Sequence, residues 1–293
     1  MNIIGRRKIW YAISLLIIIP GIISLLLRGL NLGIDFTGGS LLQFQFENTV
    51  TVEQVRNVLD QSHLGSSTIQ LSDGNNVFIR TKPMDEGERS KLVNDIKSQV
   101  GNLTVQRDEI VGPVIGKELA QKALLALAIA SVLIIGYITV RFEFKFAIAA
   151  ILALMHDVFV VVGIFSIFQI EVDSSFVAAV LTVVGYSIND TIVIFDRIRE
   201  NLNRKKRTED LESLVNRSVL ETMTRSINTV LQVVFVLVAL LFWGGETTKV
   251  FTLAMLVGVV SGAYSSIFNA SPLWFDFKQL EKAQRSKNRA KTA

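Results

Sequence analysis

Residues 181–200 read LTVVGYSINDTIVIFDRIRE and pass from an apolar segment into a charged one. Counted from Phe176, the apolar part is long enough to cross a bilayer as a helix. Asn189 and Asp190, two strongly polar residues, stand next to each other inside it. A carboxylate at such a position costs several kcal/mol unless it is neutral, paired or hydrated, and intramembrane carboxylates usually mark ion pathways. Asp190 is therefore a candidate ion-handling group.

The same helix has a simpler interpretation, in which its polar residues serve packing. Gly185, Ser187 and Thr191 are residue types that let two helices approach closely or hydrogen-bond across their interface. In that case Asp190 would hold the helix against its neighbours and move no ion. The rarity of a carboxylate inside a membrane favours the ion-handling interpretation.

The composition places the chain among integral membrane proteins. Half of the residues are hydrophobic, the mean hydropathy is +0.43, and the apolar residues fall in long blocks. The chain has no cysteine, which excludes disulfides, cysteine-based metal sites and thiol catalysis. The net charge of +4 is small, so its distribution carries more information than its size.

Six apolar segments are predicted to cross the membrane, and they set the domain boundaries. The first is longer than the core of a signal peptide and is followed by no small-residue cleavage site, so we expect it to be retained. The predicted spans cover 9–27, 123–140, 146–168, 176–195, 227–243 and 250–275. The predicted domains are the N-terminus and first helix at 1–28, an extracytoplasmic domain with its linker at 29–118, a five-helix bundle at 119–277 with a cytoplasmic segment at 196–225, and a basic tail at 278–293.

Residues 29–118 are polar and contain twelve acidic residues, which predicts a soluble domain after the first span. Apolar alternation and turn residues predict its strands, and helical periodicity with capping signals, such as Thr51 with Gln54, predicts its helices. The strands are predicted at 41–47, 67–72, 76–82 and 103–110, and the helices at 51–63 and 85–100. The fold class is therefore an α-helical polytopic membrane protein with a small α+β, ferredoxin-like domain. Many functions occur on this domain type, so it identifies none.

Short segments with glycine flank this domain. Residues 32–39 read LGIDFTGG, which predicts a tight connector, and they lack the spacing and the lysine of a phosphate loop. Residues 111–119 read VGPVIGKEL and are predicted to form a shaped linker to the second span. A turn is predicted at 73–75. His63 is predicted to be a surface residue, because no second ligand stands at metal-binding spacing.

The distribution of Lys and Arg predicts the orientation of the chain. Nineteen of the 30 lie in the N-terminus, the 141–145 turn, the 197–225 segment and the tail, which six spans place on one side. The other eleven lie almost entirely in or beside the soluble domain, whose charges count little for orientation. We therefore expect cytoplasmic termini and a domain outside the cytoplasm. The basic run at 204–207 fits this topology and does not indicate nucleic acid as a partner.

Two expectations concern the cytoplasmic regions. Leu211, Leu214 and Val215 share one helical face, which predicts that part of 197–225 lies along the membrane surface. The basic tail after Phe277 is predicted to be disordered.

The ionisable residues of the spans lie at graded depths and suggest a proton relay. Asp190 is roughly 10 Å of helix from the cytoplasmic edge, and Asp157 is roughly 18 Å in. Arg225 begins the fifth span from the same edge, so it could approach Asp190 if the two helices pack together. The candidate proton-coupling residues are thus Asp190, Arg225, Asp157, His156 and Asn189. His156 with Asp157 could instead be a satisfied polar pair between helices.

Several motifs, spread from the first external segment to the last span, resemble the SecF family. They are Gly33 to Gly39, the linker at 111–119, Gly185 to Thr191 with Asp196 to Glu200, Arg225 to Thr229, and Gly262 to Ser266. SecF is a membrane subunit of the bacterial SecD–SecF protein-export complex, within the resistance–nodulation–division exporter superfamily. The motif in the fourth span is the most specific of these.

The resemblance implies a function in preprotein export across the bacterial cytoplasmic membrane. The family is thought to use the proton motive force to help a preprotein finish crossing, after the SecA motor and the SecYEG channel begin the work. It also implies a SecD-like partner, because each chain supplies six of twelve spans. Among the candidate residues, the family resemblance implies a proton-coupling role for Asp190 and Arg225. Asp157 and His156 are candidates because of their depth in the membrane and their side-chain chemistry. No cofactor and no metal are implied.

Two other classes of function remain open from the sequence. One is half of a small-molecule exporter, although a single external unit of roughly ninety residues is small for a drug-binding region. The other is a membrane assembly module in which Asp190 and Arg225 lock helices without moving ions. An enzyme is the least expected class, because the chain has no Ser-His-Asp order, no HExxH motif, no phosphate loop and no cysteine nucleophile.

Overall fold

The computed structural model of the protein describes residues 2–72, 75–111, 113–205 and 208–292. The chain divides into two compact units, one of residues 32–124 and one of residues 1–31 with 125–293. In chain order the elements are α1 (Arg7–Arg28), β1 (Asn31–Leu32), α2 (Ile34–Thr37), β2 (Gly39–Phe46), α3 (Val52–Gln61), β3 (Thr68–Ser72), β4 (Asn76–Thr81), α4 (Glu86–Gln99), β5 (Leu103–Val111), α5 (Pro113–Arg141), α6 (Phe144–Phe168), β6 (Glu171–Val172), α7 (Ser174–Asn203), α8 (Leu211–Trp243), α9 (Glu246–Ser265), a π-helical segment (Ser266–Ala270) and α10 (Ser271–Thr292).

The first unit contains a four-stranded antiparallel sheet with the strand order β3-β4-β2-β5. Because β2, α3, β3, β4, α4 and β5 follow one another along the chain, this is the split βαβ arrangement that the sequence predicts. Alternate residues of β2 point into the core, where Leu42 and Phe44 are fully buried with Leu59 of α3 and Leu92 of α4. Of the predicted turn at 73–75, residues 73 and 74 lie outside the described residues.

Capping residues fix where the two helices of this sheet domain begin. Thr51 and Gln54 form the predicted capping box at the start of α3, with the Thr51 side chain accepting from the Gln54 backbone N–H. Asp85 and Glu88 form a second capping box at the start of α4. Each box satisfies backbone donors that a helix leaves free at its first turn.

The second unit is helical, and six helical segments of the chain are long and apolar enough to cross a membrane, as predicted. They are Arg7–Arg28, Ala120–Arg141, Phe144–Phe168, Ser174–Asn203, Leu211–Trp243 and Thr248–Gln284. Its core contains aromatic side chains, among which the rings of Phe146 and Trp274 stack with centroids 4.5 Å apart.

The linker predicted at 111–119 is largely helical in the structure. Strand β5 runs to Val111, residue 112 lies outside the described residues, and α5 begins at Pro113. Proline is well suited to the first helical position, because its missing N–H would have no partner inside the helix there. Pro113 therefore marks a helix start, where the sequence suggested a linker.

The expectation of a helix along the membrane surface within 197–225 was wrong. Helix α7 continues to Asn203, and α8 runs without interruption from Leu211 through the fifth span. The shared apolar face packs into the protein core together with Ile3 and Ile4, and Asn216 accepts a 2.7 Å hydrogen bond from the backbone N–H of Ile3. The N-terminal residues therefore cover the face that the sequence assigned to lipid.

Asp210 caps the start of α8. Its carboxylate accepts a 2.7 Å hydrogen bond from the backbone N–H of Ser213. Hydrogen bonds from the side chain and the backbone of Ser213 lower the pKa of Asp210 below its usual range.

The tail after Phe277, predicted to be disordered, continues α10 as a helix to Thr292. Lys278 forms a 2.5 Å ion pair with Glu143, and Glu281 is paired with Lys145. These contacts, together with the buried Trp274 at the start of α10, provide a reason for the helical order that a composition-based prediction cannot detect.

Candidate functional site

Asp190 lies on α7 where this helix faces α8. One carboxylate oxygen, Oδ1, accepts a 2.6 Å hydrogen bond from the hydroxyl of Ser226 on α8. The other, Oδ2, is buried and has no hydrogen-bond partner in the described part of the chain. Buried polar atoms without a partner are uncommon, because the desolvation of such an atom is not compensated. One oxygen of Asp190 is therefore free to bind a proton.

Arg225 directly precedes Ser226 on α8. Its side chain is exposed. Among the residues that the structure describes, it forms no ion pair with Asp190 within 4.0 Å. Successive residues of a helix point about 100° apart, so Ser226 faces Asp190 directly while Arg225 lies to one side. The structure thus brings the two predicted residues near each other without joining them.

Asn189, the remaining candidate on α7, is exposed on this chain. It precedes Asp190 and points away from the hydroxyl of Ser226 for the same helical reason. Asn189 and Asp190 are neighbours in the sequence, but their side chains point in different directions in the structure.

Asp157 on α6 is the centre of a second polar cluster and is 1% exposed. Four polar groups contact its carboxylate: one on α7, two on α9 and one on α6 itself. Oδ1 accepts from Ser261 at 2.8 Å and lies 3.0 Å from Nδ1 of His156, while Oδ2 accepts from Ser187 at 2.6 Å and from Ser265 at 2.8 Å. This cluster holds three helices together around one carboxylate.

His156 is 7% exposed, and its ring lies against α9. The imidazole stacks on the ring of Tyr264, with centroids 5.8 Å apart and an angle of 26° between the planes. Its second nitrogen, Nε2, is buried without a hydrogen-bond partner among the described residues. Each of the two clusters therefore contains one buried, unpartnered atom that can accept a proton.

Hydrogen bonds extend from the Asp157 cluster towards Asp190 but do not reach its side chain. Ser266 donates to the backbone carbonyl of Ser187 at 3.4 Å and lies 2.8 Å from the hydroxyl of Thr191. Thr191 is the chain neighbour of Asp190, and in the described residues the connection ends there. The residues of the graded relay suggested by the sequence thus lie in two separate clusters.

The hydroxyl groups that contact the two carboxylates are the part of these clusters that the sequence analysis did not assign. It interpreted Ser187 as a residue that lets two helices approach closely or hydrogen-bond, and it named Ser226 and Ser265 only within motifs. The four-residue spacing of Ser261 and Ser265 places both on one face of α9, which is a signal for a common partner. That signal does not reveal that the partner is Asp157 on another helix.

No group of three or more His, Cys, Asp or Glu side chains that could hold a metal ion occurs in the described residues.

Comparisons with known proteins agree on one family. A family model for "Protein export membrane protein SecD/SecF, C-terminal" matches residues 91–280, and a model for the "SecD/SecF GG Motif" matches residues 23–50. Protein translocase subunit SecF of Sebaldella termitidis is 41% identical and covers 99% of this chain and 96% of its own. The same subunit of Acidaminococcus fermentans is 47% identical and covers 95% and 97%.

Solved structures show the same similarity within longer chains. The crystal structure of SecDF from Thermus thermophilus, described as a translocon-associated membrane protein, matches with a TM-score of 0.88 and 36% identity over 95% of this chain. SecDF in a super-membrane-facing form matches with a TM-score of 0.73. This chain spans 39% and 40% of the length of these two SecDF chains.

Proposed function

This chain belongs to the SecD/SecF family of protein export membrane proteins. From that premise we propose that it is a subunit of a complex that uses the proton motive force. The complex would assist late steps of preprotein translocation through the Sec channel. Its association with Sec-dependent translocation follows from relatives of nearly the same length that are named translocase subunits, not enzymes. Its six apolar helices make it a multi-pass membrane protein.

The first proposed partner is a SecD-like subunit. In Bacillus subtilis a single SecDF chain is 42% identical to this one over 94% of this chain, which accounts for 38% of the SecDF length. The remaining length of such chains motivates a separate SecD-like subunit here. The SecYEG channel, the SecA motor, the translocating preprotein and the lipid bilayer are the further proposed partners.

The proposed location is the bacterial cytoplasmic membrane, with both termini in the cytoplasm. The excess of Lys and Arg in the N-terminus, the 197–225 region and the tail supports this orientation. The sheet domain would then lie outside the cytoplasm, on the side where a preprotein emerges.

The observation that carries the proposed proton coupling is the free Oδ2 of Asp190. A proton carrier needs a group that is available for protonation and a balance of forces that changes between conformations. Desolvation favours the neutral carboxyl, whereas a nearby Arg favours the carboxylate. Arg225 is near Asp190 but is not bonded to it, so a modest helix movement would change this balance. Asp157, His156 and Asn189 remain further proposed contributors.

The test is Asp190→Asn, which keeps the shape of the side chain but cannot bind and release a proton. Vesicles that contain the Sec channel, with or without this chain and its SecD-like partner, would report the protonophore-sensitive part of preprotein export. We expect Asp190→Asn to assemble normally and to abolish the stimulation that the complex adds.

Asp196→Asn is the matched control, because Asp196 lies on the same helix with its side chain 57% exposed. It should retain the stimulation. If Asp190→Asn also retains it, the proposed coupling through Asp190 is wrong.

A further inference from the structure

Three serine hydroxyls donate to the Asp157 carboxylate, and Nδ1 of His156 lies beside the fourth lone-pair position. An ionised carboxylate offers about four lone-pair positions on its two oxygens. Ser261 and His156 occupy two of them on Oδ1, and Ser187 and Ser265 occupy two on Oδ2. A protonated carboxyl must itself donate a hydrogen bond, so one of these donors would have to turn away. The arrangement therefore fits the ionised form of Asp157.

The contact with Asp157 also fixes the roles of the two ring nitrogens of His156. Nδ1 lies 3.0 Å from a carboxylate oxygen and is the position that carries hydrogen when Asp157 is ionised. In a neutral imidazole the other nitrogen is then a bare acceptor. That nitrogen, Nε2, is buried and has no partner in the described part of the chain. It is the open proton-accepting position of the cluster.

In the described part of the chain, the side chains that hydrogen-bond to this pair or stack on it include no Lys or Arg. Helix α7 contributes Ser187, and α9 contributes Ser261, Ser265 and Tyr264, of which only Tyr264 is titratable. Tyr264 directs its hydroxyl away, to the backbone carbonyl of Trp10 on α1 at 2.7 Å. No Lys or Arg among the described residues lies within 4.0 Å of Asp157. An imidazolium at position 156 would therefore be the cation that neutralises the buried carboxylate.

We infer that His156 and Asp157 form a second proton-binding site, in which Asp157 stays ionised and Nε2 of His156 takes up and releases the proton. The lone pair of Nε2 accepts a proton from water or hydronium and returns it to water, and no other bond changes. Proton uptake turns a cluster with one net negative charge into a neutral ion pair. Asp157 is then a positioning residue, which holds the ring and its tautomer. The proton-binding site itself does not depend on the proposed export function. Only the use that the complex makes of the bound proton rests on that function.

The second site is a neighbour of Asp190 and distinct from it. The successive residues Ser265 and Ser266 contact Asp157 and Thr191 respectively, at the junction between α9 and the π-helical segment. Such π-helical segments are rare and occur frequently at functional sites. A change in charge at His156 would therefore act on the part of α9 that also contacts the helix bearing Asp190.

The test is a titration of the full chain by nuclear magnetic resonance. The chain has two histidines, His63 and His156. The full chain with ¹⁵N-labelled histidine would be placed in lipid nanodiscs together with its unlabelled partner. His63 is exposed in the sheet domain, so it serves as the reference, and His63→Gln assigns the signals.

We expect His156 to carry hydrogen on Nδ1 alone at high pH and on both nitrogens at low pH. Asp157→Asn should remove the preference for the Nδ1–H tautomer. If Asp157→Asn does not fold, the titration of His156 in the chain with an unchanged Asp157 still tests the inference.

Two results would overturn the inference. A ring that stays neutral down to pH 5 would make the pair a fixed helix contact. A bare Nδ1 at high pH would place the proton on Asp157, with Ser265 turned to its other acceptor, the Gly262 carbonyl at 3.2 Å. The titration measures no export, whereas Asp190→Asn in the vesicle assay does, so failure of the inference and failure of the proposed function are distinguishable.

Discussion

Ser226 of α8 donates a 2.6 Å hydrogen bond to Oδ1 of Asp190 in α7, although the two residues are 36 positions apart in the chain. This is the direct side-chain contact that the structure gives to the Asp190 carboxylate. Arg225, the neighbour of Ser226, forms no ion pair with Asp190 within 4.0 Å among the described residues. A movement of α8 would therefore change both the hydrogen bond and the electrostatic interaction together.

Removing this hydroxyl should leave Asp190 without any hydrogen-bond partner. We expect Ser226→Ala to cost roughly 1–3 kcal/mol of stability, the usual penalty for a buried acceptor left unsatisfied, and to reduce protonophore-sensitive export. Ser226→Thr keeps the hydroxyl and should retain most of both. The measurements are thermal unfolding of the complex and export into vesicles. A Ser226→Ala variant with unchanged stability and export would show that the hydrogen bond contributes nothing.

Arg225 should act mainly through its charge, because it forms no ion pair with Asp190 among the described residues. Arg225→Lys keeps the charge and loses the planar fork, so we expect partial stimulation of export, whereas Arg225→Met should lose nearly all of it. Arg204→Met is the control, because Arg204 is a strongly exposed cation near the end of α7. Equal export by Arg225→Lys and Arg225→Met would mean that the charge of Arg225 is irrelevant.

The sheet domain was predictable from the sequence because its signals are local. The Thr51–Gln54 capping box, the alternation along β2 and the hairpin residues each fix one element without reference to the rest of the fold. The environment of the segment at 197–225 was not predictable from the sequence. An apolar stripe on a polar helix looks the same whether it faces lipid or protein. Only the packing of Ile3 and Ile4 onto that stripe decides, and the neighbouring contact of Ile3 with Asn216 joins residues 213 positions apart in the sequence.

The candidate site was likewise predictable from the sequence only in part. Asp157 and Asp190 were found because carboxylates are rare inside membranes. Their hydroxyl partners were not, since Ser and Thr at helix contacts serve packing as well as hydrogen bonding. The choice between these roles depends on which helices meet. The contacts of Ser187, Ser261 and Ser265 with Asp157 are set by the packing of α6, α7 and α9.

The proposed orientation predicts which residues a membrane-impermeant thiol reagent can reach. Single cysteines at Ser72, in the sheet domain, and at Thr208, between α7 and α8, can be introduced into a chain that has none of its own. On intact spheroplasts we expect labelling at position 72 and none at 208 until the membrane is opened. Labelling at 208 but not at 72 would reverse the proposed orientation.

Helices α1 and α6 pack closely against each other at two glycines, Gly21 and Gly163. A methyl group added at Gly21 would lie 2.8 Å from Cα of Gly163, and one added at Gly163 would lie 2.9 Å from Cα of Gly21. Near this point the hydroxyls of Ser24 and Ser166 lie 2.9 Å apart. The neighbouring atoms are backbone, so they cannot turn aside, and the helices must separate to admit a side chain.

Alanine at either glycine should therefore destabilise the protein by about 1–3 kcal/mol, the usual cost of overpacking. Gly136→Ala is the matched control: it lies inside α5, an added methyl group there meets no atom within 4 Å, and alanine is the better helix former by about 1 kcal/mol. Thermal unfolding of the full chain in detergent micelles gives the comparison.

The Gly21→Ala/Gly163→Ala double variant should lose less stability than the sum of the two single losses, because the first methyl group already separates the helices at the contact that the second would disturb. If both single variants are instead stabilised like Gly136→Ala, the backbones of α1 and α6 are not in contact.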